Sequence, residues 1–226
     1  MLDQTPGRSK SASTKRRRAS SLNSTVRSDI LEAAVRLFSQ KTFDGTSLKE
    51  IAEAVGVGHP LVHYHFGSKE KLWKAAVEHV WSNLERDYRM ILQTTVDMQA
   101  IDTLKILGRS YAKFCIQYPQ HIGLVTNEVR SLSQRFEWLM SKYIKPIHEQ
   151  LDSIIAKAIK EGDVRDIPIV NLSVNMFISF SHFLSVSPMV KFIYNVDPSD
   201  PEVAERHIDL VVDMLFNGIA AKASND

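Results

Sequence analysis

The amino-acid sequence predicts an all-α protein with a small N-terminal domain and a larger C-terminal one. From residue 24 nearly to the C-terminus, apolar residues recur at the spacing of an amphipathic helix. No convincing run of alternating apolar residues, the pattern of a half-buried strand, interrupts this period. Proline and glycine separate the helical stretches, and 226 residues are enough for two modest domains. We expect a disordered arm over 1–23, a first helical domain over 24–70 and a second over 71–226.

The arm over residues 1–23 is rich in Ser, Thr, Lys and Arg and has few large apolar residues, which favours disorder. Residues 1–28 contain seven basic residues and one acidic residue, whereas the net charge of the whole chain is only +2. The rest of the chain is therefore net negative. A basic arm on an acidic body suits a polyanion that is contacted at one end. A plain solubilising tail is the alternative.

Three short helices are predicted after the arm. The first has its apolar stripe between Ile30 and Phe38 and ends near Lys41. Ser47 and Glu50 have the spacing of a capping box, in which the serine side chain accepts from the backbone N–H of the glutamate. The second helix should therefore begin directly after Ser47.

A sharp turn and a third helix follow at Gly56-Val57-Gly58, because glycine tolerates the left-handed backbone that such a turn needs. Pro60 lies in the first turn of the third helix, where a missing N–H costs nothing. Val62 and Phe66, at i and i+4, are the predicted inward pair of this helix.

The C-terminal part of the chain is predicted to be a series of longer helices. Ser68 is expected to cap a fourth helix that runs from Lys69 to about Ile91, and Pro146 predicts a kink inside a later one. The further predicted ranges are Ile101–Tyr118, Gln120–Leu132, Arg135–Lys160, Pro168–Ser187 and Pro201–Ile219. The last helix has an apolar face broader than an isolated protomer needs, made of Ile208, Val211, Val212, Leu215 and Ile219.

Cysteine usage and hydropathy favour a cytoplasmic protein. The single cysteine, Cys115, cannot form an intrachain disulfide, and no apolar stretch follows the basic N-terminus as in a secretory signal. The uncharged stretch Ile167–Val190 has the length of a membrane span. It contains Asn171, Asn175 and His182, which are costly in hydrocarbon, so a helix buried inside the protein explains it better.

Three short helices with a glycine-containing turn between the second and third are typical of homeodomain-like helix-turn-helix domains, whose third helix enters the major groove of DNA. With Val62 and Phe66 inward, His63 can bond a base edge and Tyr64 can contact a phosphate or a thymine methyl. Lys69 and the free N–H groups at the start of the fourth helix suit a phosphate. The predicted DNA-binding residues are Ser47, His59, Pro60, Leu61, His63, Tyr64 and Lys69, with Arg16, Arg17 and Arg18 of the arm.

The stretch TSLKEIAEAVGVGHPLVHYHFGSKEKLW resembles the DNA-binding domain of the TetR family of bacterial transcriptional regulators. The resemblance covers about fifty residues, from Arg27 to Val80. Gly58, Leu61 and His63 depart from the residues usual in the family, which affects which operator is read. The matching residues are Ser47, Glu50, Ile51, Ala52, Gly56, Val57, Tyr64, His65, Phe66, Ser68, Lys69 and Leu72.

The resemblance implies a helical C-terminal domain that dimerises through its last two long helices, Pro168–Ser187 and Pro201–Ile219, and holds a small-molecule effector between its middle helices. Effector binding would move the fourth helix and change the separation of the two reading heads. We therefore expect a homodimeric, nucleoid-associated repressor that leaves a palindromic operator when its effector binds. The alternative is a DNA-binding protein of the same fold that acts through a protein partner without an effector.

The effector pocket is expected among polar and aromatic residues of the middle helices. Their mixture suggests a medium-sized ligand with some polarity, and Arg130 with His121 would favour an anionic one. A set of methionine and aromatic residues at helical spacing is more often plain core. The predicted pocket residues are Tyr88, Tyr111, Phe114, His121, Arg130, Trp138, Met176, Phe177 and Phe180.

The sequence predicts neither a catalytic site nor a metal site. Cys115 and His121 could suggest a nucleophile and its base, but the helix around Cys115 is mostly apolar and no hydrolase motif such as G-x-S-x-G is present. His59, His63 and His65 could suggest a metal site, because histidines at i and i+4 share a helix face. No third metal ligand is nearby, however, and a recognition helix explains these histidines. We expect neither an enzyme nor a cofactor or metal.

Overall fold

The computed structural model describes the backbone of residues 9–219 and the side chains of residues 24–218. Every regular element in this part of the chain is a helix, which confirms the predicted all-α class. One π-helical turn, Met140–Ile144, joins α7 to α8. The helices are α1 (Ser9–Lys41), α2 (Leu48–Ala54), α3 (His59–Phe66), α4 (Lys69–Thr94), α5 (Ala100–Gln117), α6 (Gln120–Ser131), α7 (Gln134–Leu139), α8 (Lys145–Glu161), α9 (Ile169–Ser185), α10 (Ser187–Tyr194) and α11 (Pro201–Ile219).

The chain divides into two compact units, and the division falls between Ala76 and Val77, inside α4. In the first unit, α2 packs against both α1 and α3. The inward side chains of α1 include Ile30, Ala34 and Phe38, which belong to the predicted stripe. Full burial of each large apolar side chain contributes about 1.5–3 kcal/mol, so this stripe holds α1 to the unit.

The second unit is built around α5, which packs against α8, α9 and α11. Gly108 allows α9 to approach closely, since a Cβ at this position would lie 2.8 Å from Cε2 of Phe180. α11 buries Ile208 and Val211 within the protomer, whereas Leu210 and Met214 are exposed. Part of the predicted apolar face of the last helix is therefore used inside the chain.

Three elements differ from the sequence prediction. α1 begins at Ser9, inside the stretch expected to be disordered, where Ala, Leu, Lys and Arg are all good helix formers. α10 is absent from the sequence prediction, in which Pro188 ends the preceding helix; proline is well tolerated in the first turn of a new helix. The π-helical turn ends just before Pro146, whose ring nitrogen cannot donate to the carbonyl of Lys142.

The uncharged stretch predicted to be a buried helix forms α9 and the start of α10. α9 buries Leu172, Met176 and Phe180 and exposes Val170 and Val174. Taken singly, none of the described helices is both long enough and apolar enough to cross a membrane. Only α9 and α10 together, with a 60° bend between them, reach that length and composition.

Candidate functional site

The start of α2 is held by the predicted capping box, which the structure confirms. The Ser47 hydroxyl accepts from the Glu50 backbone N–H at 3.1 Å, and the Ser47 backbone N–H donates to the Glu50 carboxylate at 2.8 Å. Lys41 reaches the same carboxylate at 3.0 Å from the end of α1. The pKa of Glu50 is lowered to about 2, chiefly by the hydrogen bond from the Ser47 backbone N–H and next by the hydrogen bond from the Lys41 ammonium.

The turn between α2 and α3 uses glycine where the backbone requires it. Gly56 has a φ of 69°, in the left-handed region, and the next residue, Val57, donates its N–H to the Ala52 carbonyl at 3.0 Å. Gly58 is the N-cap of α3 and provides no side-chain cap, and Pro60 lies in the first turn as predicted. The turn therefore ends α2 and starts α3 within five residues.

α3 is held by one face and exposes the other. Val62 and Phe66 are buried, and the Arg27 guanidinium lies 5.0 Å from the centroid of the Phe66 ring. On the opposite face the Tyr64 side chain is 74% exposed. Of the other predicted reading residues on this helix, Leu61 is half-buried, and the exposed ones are His59, Pro60 and His63.

The N-terminus of α4, where a phosphate contact is predicted, is capped by Ser68. The Ser68 hydroxyl accepts from the Lys71 backbone N–H at 3.2 Å, which confirms Ser68 as the cap. The Lys69 Nζ lies 4.4 Å from the centroid of the Phe43 ring, a cation–π contact that positions the lysine near the helix start. Three further predicted DNA contacts, Arg16, Arg17 and Arg18, have side chains outside the described residues.

The three histidines of α3 differ in their surroundings. His59 and His63 are exposed, while the His65 ring packs beside Tyr64 and Phe66. Among the residues that the structure describes, no three His, Cys, Asp or Glu side chains group as a metal ion would require. Because they are exposed, His59 and His63 can contact a partner molecule at the surface of α3.

The second unit contains a cavity of about 250 Å³ between α4, α5, α6, α8 and α9 and the π-helical turn. Thr126 and Ile178 are the lining residues classed as exposed, so they mark its opening. The residues that line it are Trp81, Leu84, Tyr111, Phe114, His121, Ile122, Val125, Thr126, Ile144, Ile147, His148, Phe177, Ile178 and Ser181.

Four of the nine predicted pocket residues line this cavity: Tyr111, Phe114, His121 and Phe177. Three others, Tyr88, Met176 and Phe180, line a neighbouring void of about 10 Å³ and are part of the packed core.

Two predicted pocket residues, Arg130 and Trp138, do not line this cavity. Arg130 is exposed, because it lies in the last turn of α6 on a face that points away from the apolar interior. The Trp138 ring packs edge-on against Tyr143, with centroids 5.6 Å apart, and the Lys142 ammonium lies over it. Arg130 therefore provides no positive charge to this cavity.

The buried polar groups of the cavity form a closed network around His121. Its Nδ1 lies 2.7 Å from the Tyr118 carbonyl oxygen, which can only accept, so Nδ1 carries the proton. Its Nε2 is then an acceptor, 3.2 Å from the Tyr111 hydroxyl. Burial lowers the pKa of His121 to about 4 and raises that of Tyr111, so both side chains are neutral near pH 7.

His148 of α8 lines the cavity and was missed from the sequence. Its Nδ1 lies 3.1 Å from the Ser173 hydroxyl of α9, and its ring centroid is 4.3 Å from that of Phe177. Partial burial lowers the pKa of His148. The available signal was its position four residues after Ile144, a spacing that places both side chains on one face of a helix.

The Cys115 thiol lies near His121 but lacks the properties of a nucleophile. The Sγ atom is 3.8 Å from Nε2 of His121 and is fully buried. Burial raises the pKa of Cys115 to about 12, so the thiolate is not formed near neutral pH. The pair is better described as part of the packed network around Tyr111.

Comparison with protein families assigns both parts of the chain. Residues 30–76 match the model of bacterial regulatory proteins of the tetR family. Residues 101–215 match the model of the tetracyclin repressor-like C-terminal domain. The two matches together cover most of the chain and correspond to its two units.

Curated relatives and solved structures agree with these matches. The chain is 26% identical over 193 residues to the HTH-type transcriptional regulator RutR of Escherichia coli, covering 84% of this chain and 88% of the relative. It is 21% identical over 199 residues to the HTH-type transcriptional repressor NicS of Pseudomonas putida, covering 86% of this chain and 92% of the relative.

The ketosteroid transcriptional regulator KstR2 of Mycobacterium tuberculosis has a similar fold, with a TM-score of 0.72 at 18% identity over 87% of this chain and 95% of that one. A putative fatty acid metabolism regulator of Clostridium perfringens gives a TM-score of 0.69 at 20% identity, over 86% of this chain and 100% of that one. With the family matches in both units, the chain belongs to the TetR family of bacterial regulatory proteins, which are DNA-binding transcriptional regulators and not enzymes.

Proposed function

We propose that this protein is a homodimeric repressor that binds a palindromic operator through α3 and leaves it when a small molecule fills the cavity of the second unit. The observation that carries the proposal is the outer face of α3. Val62 and Phe66 hold this helix from inside, and Tyr64 and His63 are left exposed with side chains that can bond bases and phosphates. As a DNA-binding repressor, the protein would act in the cytoplasm at the nucleoid.

A homodimer is supported by apolar side chains that the protomer leaves uncovered. α9 exposes Val170, Val174 and Ile178 at successive i, i+4 positions, and α11 exposes Leu210 and Met214 at the same spacing. These are the two helices through which the family resemblance implies dimerisation. Two such stripes on one protomer favour a symmetric interface with a second copy.

The link between cavity and DNA is proposed to run through α4. This helix begins with Lys69, a predicted phosphate contact, and also carries Trp81 and Leu84, which line the cavity. A ligand that displaces these two side chains would bias the position of the whole helix. A small coupling free energy of about 1–3 kcal/mol would be enough to change operator affinity 5–150-fold.

The first test is selection of binding sites from random duplexes with the purified protein. A palindromic consensus, with half-sites about one helical turn apart, is expected for a dimer with two reading heads. Absence of enrichment at moderate salt would contradict operator binding by the protein alone. That result would favour the alternative in which a protein partner is needed.

Substitutions then test the reading face with the selected duplex. Tyr64→Ala and Lys69→Ala should each weaken binding about 5- to 150-fold in fluorescence anisotropy, since loss of one good contact costs about 1–3 kcal/mol. Circular dichroism melting of both variants should stay close to wild type. Tyr64→Phe separates the ring from the hydroxyl, and Lys160→Ala, at an exposed position of α8, is the charge-matched control. Normal binding by both alanine variants would show that this face does not contact DNA.

A further inference from the structure

The lining of the effector cavity carries no formal charge. None of the residues around it is Asp, Glu, Lys or Arg within the part of the chain that the structure describes. Its walls are apolar and aromatic, and the side chains among them that carry hydrogen-bonding atoms are Trp81, Tyr111, Thr126, Ser181 and two histidines. The composition alone therefore provides only neutral hydrogen-bonding groups, unless a histidine is protonated.

Neither histidine provides a cation for a ligand. Both nitrogens of His121 are engaged, by the Tyr118 carbonyl and the Tyr111 hydroxyl, so the ring can gain a proton only if the Tyr111 contact rearranges. The Nδ1 of His148 is engaged by the Ser173 hydroxyl, and its ring lies against Phe177. Burial lowers the pKa of both rings, and for His148 the nearby Asp152 carboxylate partly opposes this effect.

The nearest charged network on α6 is already balanced. Glu128 is buried and bonded to Arg135 at 3.2 Å and to the Ser133 hydroxyl at 2.7 Å. Arg130 is exposed to solvent. A ligand carboxylate in the cavity would thus lose its hydration without gaining a lysine or arginine partner, which disfavours anion binding.

We propose, resting on the assignment of this cavity as the effector site, that the effector is an uncharged, mainly apolar molecule. It would stack among Trp81, Phe114 and Phe177, and its few polar atoms would meet the neutral groups of Tyr111, Ser181 and His148. The cavity has a volume of about 250 Å³, which about eight molecules of liquid water would occupy. This volume suits a compact ring system. The site excludes organic anions of the same shape.

An isosteric pair of probes tests this directly. Naphthamide and naphthoate, substituted at the same ring position, have nearly the same shape and differ in charge at pH 7.5. Isothermal titration and thermal melting of the full chain without DNA should show naphthamide binding at least tenfold tighter than naphthoate. Equal or tighter binding of naphthoate would overturn the proposal, and so would failure of both probes to bind.

Two valines on α6 provide a matched pair that locates the probe. Val125 lines the cavity, whereas Val129, one turn later, is exposed and does not. Val125→Phe should abolish the naphthamide shift and Val129→Phe should keep it. Thr126→Trp, at the exposed opening, repeats the block without touching the core. Binding that survives both Val125→Phe and Thr126→Trp would place the probe elsewhere and overturn the proposal.

The ligand class and the proposed function fail in different experiments. Probe binding is measured without DNA, and Tyr64→Ala should leave it unchanged. If naphthamide binds in the cavity but does not release the selected duplex, the neutral ligand class stands and the effector-release step is contradicted.

Discussion

At the residue scale, Glu50 of α2 connects three parts of the helix-turn-helix unit formed by α1, α2 and α3. It links its own helix to the N-cap Ser47 and to Lys41 at the end of α1. Its carboxylate accepts from Ser47 and Lys41 and is exposed, so its pKa is lowered to about 2 by hydrogen bonds and not by burial. A lowered carboxylate pKa stabilises the fold above the unfolded value, 4.5, and this stabilisation is lost as pH falls towards 2.

Glu50→Gln should therefore lower the melting temperature near pH 7, and the difference from wild type should shrink between pH 4.5 and pH 2. Thermal melting followed by circular dichroism at a series of pH values measures it. Glu53→Gln is the control, since the Glu53 carboxylate pairs with Lys49, at 3.7 Å, on the exposed side of α2. A Glu50→Gln difference that is constant with pH would contradict the assigned contacts.

His121 is a base, whereas Glu50 is an acid, but both make the folded chain less stable as pH falls. Its pKa is lowered from 6.5 to about 4 because the ring is buried, so the unfolded chain takes up the proton first as pH falls. The stabilisation is complete above pH 6.5 and is lost progressively down to about pH 4, on the order of 3 kcal/mol in all.

His121→Gln should flatten the fall in unfolding free energy between pH 6.5 and pH 4, measured by urea denaturation. The amide of glutamine can still donate and accept but takes up no proton in this range. His148 and His207 have pKa values lowered by burial and add a fall of the same sign in every variant, so the comparison is with wild type. His182→Gln, at an exposed position of α9, is the control. An unchanged pH profile in His121→Gln would exclude His121 as its source.

At the element scale, the contact between α5 and α9 is decided by one glycine. The Phe180 ring is buried and lies where a side chain on Gly108 would go. α9 also forms one wall of the cavity, through Phe177 and Ser181, and one exposed stripe, through Val174 and Ile178. The position of α9 against α5 thus affects both the ligand site and the proposed interface.

Gly108→Ala should lower the unfolding free energy, because a Cβ only 2.8 Å from the Phe180 ring forces a shift in a packed core. Overpacking of this kind costs about 1–3 kcal/mol and outweighs a gain of about 1 kcal/mol in helix propensity. Gly218→Ala in α11 has nothing within 4 Å of the added Cβ and should be neutral or stabilising. Urea denaturation of both variants measures the contrast, and equal effects would show that α9 is not held this closely.

At the scale of the whole molecule, charge is divided unevenly along the chain. Residues 1–28 carry a net positive charge, whereas the rest of the chain carries a net negative charge. This division favours contact with a polyanion at the N-terminal end. Because the side chains of Arg16, Arg17 and Arg18 are outside the described residues, the arm's contact with DNA stays a prediction.

Removal of residues 1–20 should weaken operator binding and reduce its salt dependence. Each phosphate contact contributes about 0.9 to the slope of log K against log salt, so loss of two to four contacts lowers the slope by roughly 2–4. Anisotropy titrations between low and moderate salt measure this, with Lys15 and Arg16–Arg18 replaced by Gln as a length-matched control. An unchanged slope would identify the arm as a solubilising tail.

Residue spacing along the chain predicts the helix-turn-helix unit, α1 to α3, almost completely. The capping box joins Ser47 to Glu50, the left-handed turn needs Gly56, and Val62 and Phe66 share a face at i and i+4. Each of these features depends on residues within a few positions of one another. Local spacing therefore predicts them, and the most specific family motif lies in the same stretch.

Which side chains form the cavity depends on how helices distant in sequence pack together. Trp81 and Phe177 line it from α4 and α9, nearly a hundred residues apart, and no local pattern brings such positions together. For the same reason Arg130 was expected in the pocket and His148 was not, since helical periodicity separates inner from outer faces but does not distinguish a cavity wall from plain core. The neutrality of the site was likewise decided by packing, because burial and engaged nitrogens, rather than residue type, keep His121 uncharged.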